Sequence, residues 1–152
     1  MANSTVTSQS KMTVVRPIEL SFALPRAHGT KIYLQLTQRA TSILLFLTTA
    51  QDGVGSSAAA SLGSFVFALP DRLNPGQSIS TPLYVEMSSI DFTTRLAQFL
   101  ARKFKKAIYI GNSISFDSTT GLGGSLEEEL EGFKKVVDII TYHIQNQLDN
   151  QC

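Results

Sequence analysis

Apolar residues recur every second position in the first half of the chain and at helical spacing in the second half. In Pro17–Leu24 and again in Lys31–Leu36, aliphatic or aromatic residues alternate with polar or small ones. Such alternation predicts strands with one face toward a core. The turn-forming residues at Pro25–Gly29 lie between the two segments, so we expect them to form a hairpin.

Two later segments, Ser42–Thr49 and Ser64–Leu69, are apolar at both parities. A continuous apolar run predicts a strand that is covered on both faces. In the first segment one parity holds Ile43, Leu45 and Leu47, and the other holds Leu44 and Phe46. In the second segment one parity holds Phe65, Phe67 and Leu69, and the other holds Val66 and Ala68. The pattern leaves open which of these sets faces the helices.

Helical periodicity appears at about 91–104 and again at about 125–147. Asp91 or Thr93 is a candidate N-cap of the first helix, and Ser125 with Glu128 forms a capping box for the second. The expected apolar stripes are Leu96, Phe99, Leu100 and Phe104 in the first helix and Leu126, Leu130, Phe133, Val137, Ile140 and Ile144 in the second.

The remaining segments complete a fold in which most strands precede the helices. Leu83–Met87 and Ala107–Ile110 are predicted strands, and Pro70–Ser80 is a predicted exposed loop. The sum is an α+β fold with about six strands, in an antiparallel sheet or sandwich, and two helices. We expect a disordered arm at 1–15, one domain at 16–148 and a frayed tail at 149–152.

Composition narrows the function classes. The chain of 152 residues has a net charge of +1, only 16% charged residues and one cysteine. The charge gives no general reason to expect nucleic acid or membrane binding, and one cysteine cannot form a disulfide within the chain. The N-terminus has no apolar segment typical of a signal peptide, so we expect a cytoplasmic protein, with the nucleus as an alternative location.

No local motif predicts catalysis. Gly121–Gly124 lacks the third glycine of a dinucleotide loop and the Gly-Lys-Ser/Thr ending of a phosphate loop. His28 and His143 have no second ligand at metal spacing. We therefore expect no enzyme, no cofactor and no metal. A hydrolase or small-molecule-binding protein would need a cleft with convergent polar groups.

Two surfaces are candidates for contact with a partner. A basic group at the first helix has two interpretations, a solvated face or a docking surface for an acidic protein patch; its members are Arg95, Arg102, Lys103, Lys105 and Lys106. The second candidate is a sheet face used for dimerisation, formed by Leu44, Phe46, Phe65 and Phe67. Two helices can cover one face of such a sheet, so the other would need a partner.

The segment Thr93–Ser113 resembles the helix and strand of the proteasome assembly chaperone 4 family. The specific block is Leu96, Ala97, Gln98, Leu100, Ala101, Arg102 and Lys103, followed by Lys106, Ile108 and Ile110. The similarity extends more loosely from Ile18 to Phe133. The Ser/Thr-rich arm, the Asn74–Gly76 loop and a longer last helix depart from the family pattern and indicate a lineage-specific member, such as a fungal one.

This resemblance implies a non-enzymatic chaperone. Family members pair with a proteasome assembly chaperone 3 homologue and promote assembly of the α-ring by contacting a proteasome α subunit. The alternative is an adaptor-type interaction module of trafficking complexes, which would share the fold and the lack of catalytic chemistry. A homodimer is expected when the chain is expressed alone.

Overall fold

The structure is a computed structural model that describes residues 15–24, 29–51, 60–114, 116 and 126–149. The predicted arm up to residue 14, the Gly121–Gly124 loop, the Ser125 cap and His28 lie outside these residues. The strands are β1 (Ile18–Ala23), β2 (Thr30–Gln38), β3 (Ser42–Gln51), β4 (Ser64–Pro70), β5 (Ser78–Tyr84) and β6 (Ala107–Asn112). The helices are α1 (Ile90–Phe104), between β5 and β6, and α2 (Leu126–Asp149).

The six strands form one sheet in the order β1-β2-β3-β6-β4-β5. All neighbouring strands are antiparallel except β3 and β6, which are parallel. The predicted α+β class is therefore confirmed, with a mixed sheet in place of a wholly antiparallel one. The cause is the late insertion of β6 between β3 and β4. These two strands run in opposite directions, so β6 must be parallel to one of them.

The core lies between the helices and one face of the sheet. The buried parity of the sheet is the aliphatic set Ile32, Leu34, Leu36, Ile43, Leu45, Leu47, Val66, Ala68, Ile108 and Ile110. From α1, the fully buried apolar side chains are Leu96, Ala97, Leu100 and Ala101. This settles the parity that the sequence left open.

Helix α2 packs along a stripe that differs in part from the predicted one. Val136, Val137, Ile140 and Ile144 are buried, whereas Leu126 and Leu130 are exposed. The burial begins only where α2 reaches the aromatic cluster of Phe92, Phe99 and Phe133. The first turn of α2 therefore extends beyond the core.

Buried polar side chains attach the start of α1 to the sheet. The N-cap is Ser89, and neither Asp91 nor Thr93 takes that position. The Ser89 Oγ accepts a hydrogen bond from the Ser64 backbone N–H (3.1 Å), and the Thr93 Oγ1 donates to the Ser89 carbonyl oxygen (2.6 Å). Asn112 Nδ2 in turn donates to Thr93 Oγ1 (3.1 Å). The capping prediction for α1 was wrong because the helix begins at Ile90, so that Asp91 and Thr93 both lie inside it.

The fifth strand lies earlier in the chain than predicted. The structure has β5 at Ser78–Tyr84, where the sequence suggested a loop to Ser80 and a strand at Leu83–Met87. The strand contains Pro82, which cannot donate to a ladder, and this is tolerated because β5 is at the edge of the sheet. Proline and glycine residues around 75–82 therefore gave a misleading loop signal.

Candidate protein-interaction surfaces

The sheet face opposite the helices carries a band of large apolar side chains, which we call the open face. Strand register places the following residues on it: Tyr33, Leu44, Phe46, Phe65, Phe67, Leu69, Ile79, Tyr84 and Tyr109. Tyr33, Leu69, Ile79 and Tyr84 at its margins are exposed, and the central residues are half-buried. The predicted set Leu44, Phe46, Phe65 and Phe67 is thus brought together on one face.

Aromatic rings run across the centre of the open face. Phe46 and Phe65 are stacked with ring centroids 6.4 Å apart, and Phe65 lies 6.5 Å from Tyr109. Tyr109 in turn contacts Phe67 at 4.7 Å. These contacts pack the rings against one another, which reduces the side-chain freedom that would be lost if a partner covered them.

Gly111 allows this arrangement at the middle strand of the sheet. It pairs with both Phe46 and Phe65. A Cβ atom at Gly111 would be 2.7 Å from Phe46 Cδ1 and 2.8 Å from Leu62 Cδ1. The missing side chain therefore leaves the space that the neighbouring rings and Leu62 occupy.

A cavity of about 410 Å³ opens beside the aromatic rings. Its lining combines Phe46, Leu62 and Gly111 with polar side chains of Glu19, Gln35 and Thr48. Gln35 Nε2 donates to Glu19 Oε1 (3.2 Å), so these two polar groups already bond to each other. The walls of the cavity are mainly apolar, which suits contact with an apolar side chain.

The predicted basic group divides into two places. Arg95 forms an ion pair with Glu129 of α2, two helical turns before the other cations. Arg102, Lys103, Lys105 and Lys106 lie together where α1 ends and β6 begins. Lys103 Nζ lies 5.7 Å from the centroid of the Phe99 ring, and Lys106 Nζ donates to the Arg39 carbonyl oxygen (3.2 Å).

Three further cations join this second group in space, which the sequence analysis missed. Arg16 precedes β1, Arg39 follows β2 and Arg72 follows β4, so strand direction brings all three to the same end of the sheet. We call this region the basic end, defined by Arg16, Arg39, Arg72, Arg102, Lys103, Lys105 and Lys106. Because Arg16, Arg39 and Arg72 are far apart in the sequence, no local cluster of charge indicates that they share one surface.

Other candidate chemistry is sparse in the described part of the chain. His143 packs edge-on against the Tyr142 ring at 5.3 Å. Within the described ranges, no group of three or more His, Cys, Asp or Glu side chains could hold a metal ion. Neither described helix has the length and hydropathy needed to cross a bilayer.

Comparison with known proteins places the chain in a family. The sequence model of the proteasome assembly chaperone 4 family matches residues 31–114, while no curated protein matches the chain. A chain from a solved chaperone complex for yeast 20S proteasome assembly has a similar fold, with a TM-score of 0.61 and 18% identity over 84% of this chain and 96% of that chain. Because the family match spans β2 to β6 and more than half of the sequence, this chain belongs to the proteasome assembly chaperone 4 family.

Proposed function

We propose that this proteasome assembly chaperone pairs with a chaperone 3 homologue through its open face. We also propose that the pair promotes α-ring assembly by binding a proteasome α subunit through cations at the end of α1. In this proposal the protein has no enzymatic activity and needs no cofactor. The open face is the observation that carries the proposal, since its aromatic rings have no described helix above them.

The energetics favour a covered open face. Apolar surface removed from water contributes about 25 cal/mol per Å² before the costs of association. Monomeric proteins rarely leave a contiguous apolar patch of this kind in water. A second sheet stacked on the rings would bury it, as in a sandwich. Self-pairing through the same face is the expected state when no homologue is present.

The α-subunit contact is proposed for the cations that remain available on the surface. Arg102, Lys103 and Lys105 are exposed at the end of α1, whereas Arg95 is engaged by Glu129. Exposed cations of this kind raise association rates and select acidic partners. We therefore assign the contact to the cations at 102–106 and not to Arg95.

Reconstitution tests this proposal. The full chain is co-purified with its chaperone 3 homologue, and capture of purified α subunits is measured over a salt series. Arg102→Glu and Lys103→Glu should each weaken capture and leave the chaperone pair intact. Lys134→Glu is the matched control, because Lys134 is an exposed cation on α2.

The same experiment has two outcomes that contradict the proposal. One is capture that neither reversal weakens at any salt concentration, since a real ionic contact must respond to both. The other is capture of coat or tethering proteins in place of α subunits, which would favour a trafficking adaptor.

A further inference from the structure

Strand direction concentrates positive charge at the basic end. The chain has a net charge of +1 and 13 Lys and Arg residues. Seven of these lie at the basic end: Arg16, Arg39, Arg72, Arg102, Lys103, Lys105 and Lys106. The register shows why: the start of β1 pairs with the end of β2, and the end of β4 pairs with the start of β5. A nearly neutral chain thus has one strongly positive end.

Little negative charge lies in the segments that form this end. Within residues 15–17, 38–41, 70–78 and 102–107, Asp71 is the one acidic residue. Its carboxylate already accepts hydrogen bonds from the Leu73 backbone N–H (2.9 Å) and from Asn74 Nδ2 (2.8 Å). Among the described residues, no ion pair neutralises Arg39, Arg72 or Arg102.

An apolar groove of about 650 Å³ runs between these cations. Leu69, Pro70, Ile79 and Phe104 form its apolar walls, and Arg72, Lys105 and Lys106 stand along it. Beside it, Leu73 is 90% exposed at the tip of the turn that joins β4 to β5. The site therefore combines positive charge with uncovered aliphatic surface.

Lys105 takes a backbone conformation that favours glycine. It is the C-cap of α1 with φ 53°, in the left-handed region, and its side chain is exposed. Glycine usually fills this position because a Cβ atom is disfavoured there. A cation at a strained, exposed position beside the groove is consistent with a role in binding.

We propose that the basic end is a docking groove for an acidic protein segment that carries an aliphatic or aromatic side chain. Carboxylates of that segment would meet Arg39, Arg72 and Lys105. Its apolar side chain would lie between Pro70, Phe104 and Ile79, at the margin of the open face that a partner stacked on the central rings leaves uncovered. This inference refines the proposed α-subunit contact and rests on that proposal for the partner's identity.

The groove chemistry favours protein over nucleic acid. A phosphate backbone would meet the cations but would leave the aliphatic walls of Leu69 and Ile79 in water. Single-stranded nucleic acid binds through exposed aromatic rings on which bases stack, whereas Phe104, the aromatic residue of this groove, is half-buried. An acidic peptide with an apolar side chain satisfies both parts of the surface.

Fluorescence anisotropy with the full chain tests the inference. The probe is the fluorescein-labelled peptide Asp-Glu-Leu-Glu-Phe-Asp-Glu. A second peptide has serine in place of its leucine and phenylalanine, and labelled oligothymidine is the nucleic-acid probe. The protein variants are Arg39→Glu with Arg72→Glu, Lys105→Gly, and Lys134→Glu as the matched control outside the groove.

We expect salt-sensitive binding of the first peptide. The double reversal should weaken it by about tenfold or more, and Lys105→Gly by about two- to fivefold with an unchanged or higher melting temperature. The serine peptide should bind more weakly, and Lys134→Glu should have no effect.

Three results would contradict the proposal that the groove binds an acidic segment. They are no peptide binding at low salt, equal weakening of peptide binding by Lys134→Glu, and tighter binding of oligothymidine than of the peptide. These results leave the proposed function standing if the chaperone pair still captures α subunits. Conversely, peptide binding without α-subunit capture would contradict that function and not the groove.

Discussion

Gly111 is the residue on which the architecture of the open face depends. It lies in β6 between Phe46 on β3 and Phe65 on β4, and the rings of these neighbours stack at 6.4 Å. A glycine inside a strand usually weakens it, but here aromatic neighbours fill the space above the backbone. The loss of one side chain is offset by the packing of two rings.

Gly111→Ala should therefore destabilise the protein. The added methyl group would be 2.7 Å from Phe46 Cδ1, closer than real contacts allow. We expect a loss of about 1–3 kcal/mol in the free energy of unfolding, measured by urea denaturation. In the background Phe46→Ala the same change should cost less, because only the contact with Leu62 Cδ1, at 2.8 Å, remains. Equal costs in both backgrounds would show that the ring does not set the constraint.

Lys105→Gly should have the opposite effect. Relief of the left-handed backbone should raise the free energy of unfolding by about 0.5–1 kcal/mol. Arg102→Gly, three residues earlier inside α1, should lower it by about 1 kcal/mol. Thermal denaturation of both variants measures whether stability rises in one and falls in the other. A loss of stability in both variants would mean that the backbone at Lys105 is not strained.

At the scale of elements, the turn between β4 and β5 is held by Asp71. The hydrogen bond from the Asn74 side chain, followed by that from the Leu73 backbone N–H, lowers the pKa of this carboxyl below its usual value of 3.8. The backbone N–H of Asp71 also donates to the Gln77 carbonyl oxygen (3.1 Å), and Gly76 has φ 108°. The turn is thus fixed by its own bonds.

Acid should loosen this turn. A lowered folded-state pKa means that the carboxylate's contribution is present at neutral pH and is lost as the pH falls through the folded value. We expect the Leu73 amide chemical shift in NMR spectra to titrate below pH 3.8. Asp71→Ala should remove this transition. A Leu73 shift that moves identically in the variant would rule out Asp71 as its cause.

Much of the element order was predictable because the two periodicities of the chain are distinct. Both helix cores and five of the strands follow directly from them, and the α+β class was confirmed. The position of β5 was missed because the turn residues Asn74–Gly76 extended the predicted loop to Ser80, past the start of the strand at Ser78. The parallel pairing of β3 with β6 was missed because it depends on where the chain returns after α1.

The interaction surfaces were predictable only in part. Apolar residues at both parities of β3 and β4 indicated a second covered face, but the choice between Ile43 and Leu44 needed the position of the helices. The four cations at 102–106 are close together in the sequence and interrupted only by Phe104, so they were visible without the structure. Arg16, Arg39 and Arg72 are distant in the sequence and lie at the same end of the sheet only because of the strand directions. Arg95 forms an ion pair with Glu129, a contact that the sequence does not show.

At the scale of the whole molecule, the sheet has two unequal faces. One face is covered by α1 and α2, and its residue Leu45 is fully buried. The other face carries Phe46 and its neighbouring aromatic rings. Adjacent residues of β3 therefore belong to different surfaces, the core and the proposed pairing face. Their substitution should separate folding from assembly.

Leu45→Glu and Phe46→Glu provide this separation. A glutamate at Leu45 would bury an unpaired charge in the core, so that variant should lose its folded circular dichroism spectrum. A glutamate at Phe46 can reach solvent in the free chain, so the fold should remain. If both variants unfold alike, the open face belongs to the core and is not a separate surface.

The most direct test of the account is the mass of the particle that forms when the chain is mixed with its chaperone 3 homologue, measured by light scattering after gel filtration. The account predicts a one-to-one complex with the wild-type chain. It predicts separate components with Phe46→Glu, whose fold is verified in parallel. A wild-type chain that stays a folded monomer at high concentration beside its homologue, or a Phe46→Glu variant that pairs as tightly as wild type, would contradict the claim that the open face is the pairing surface.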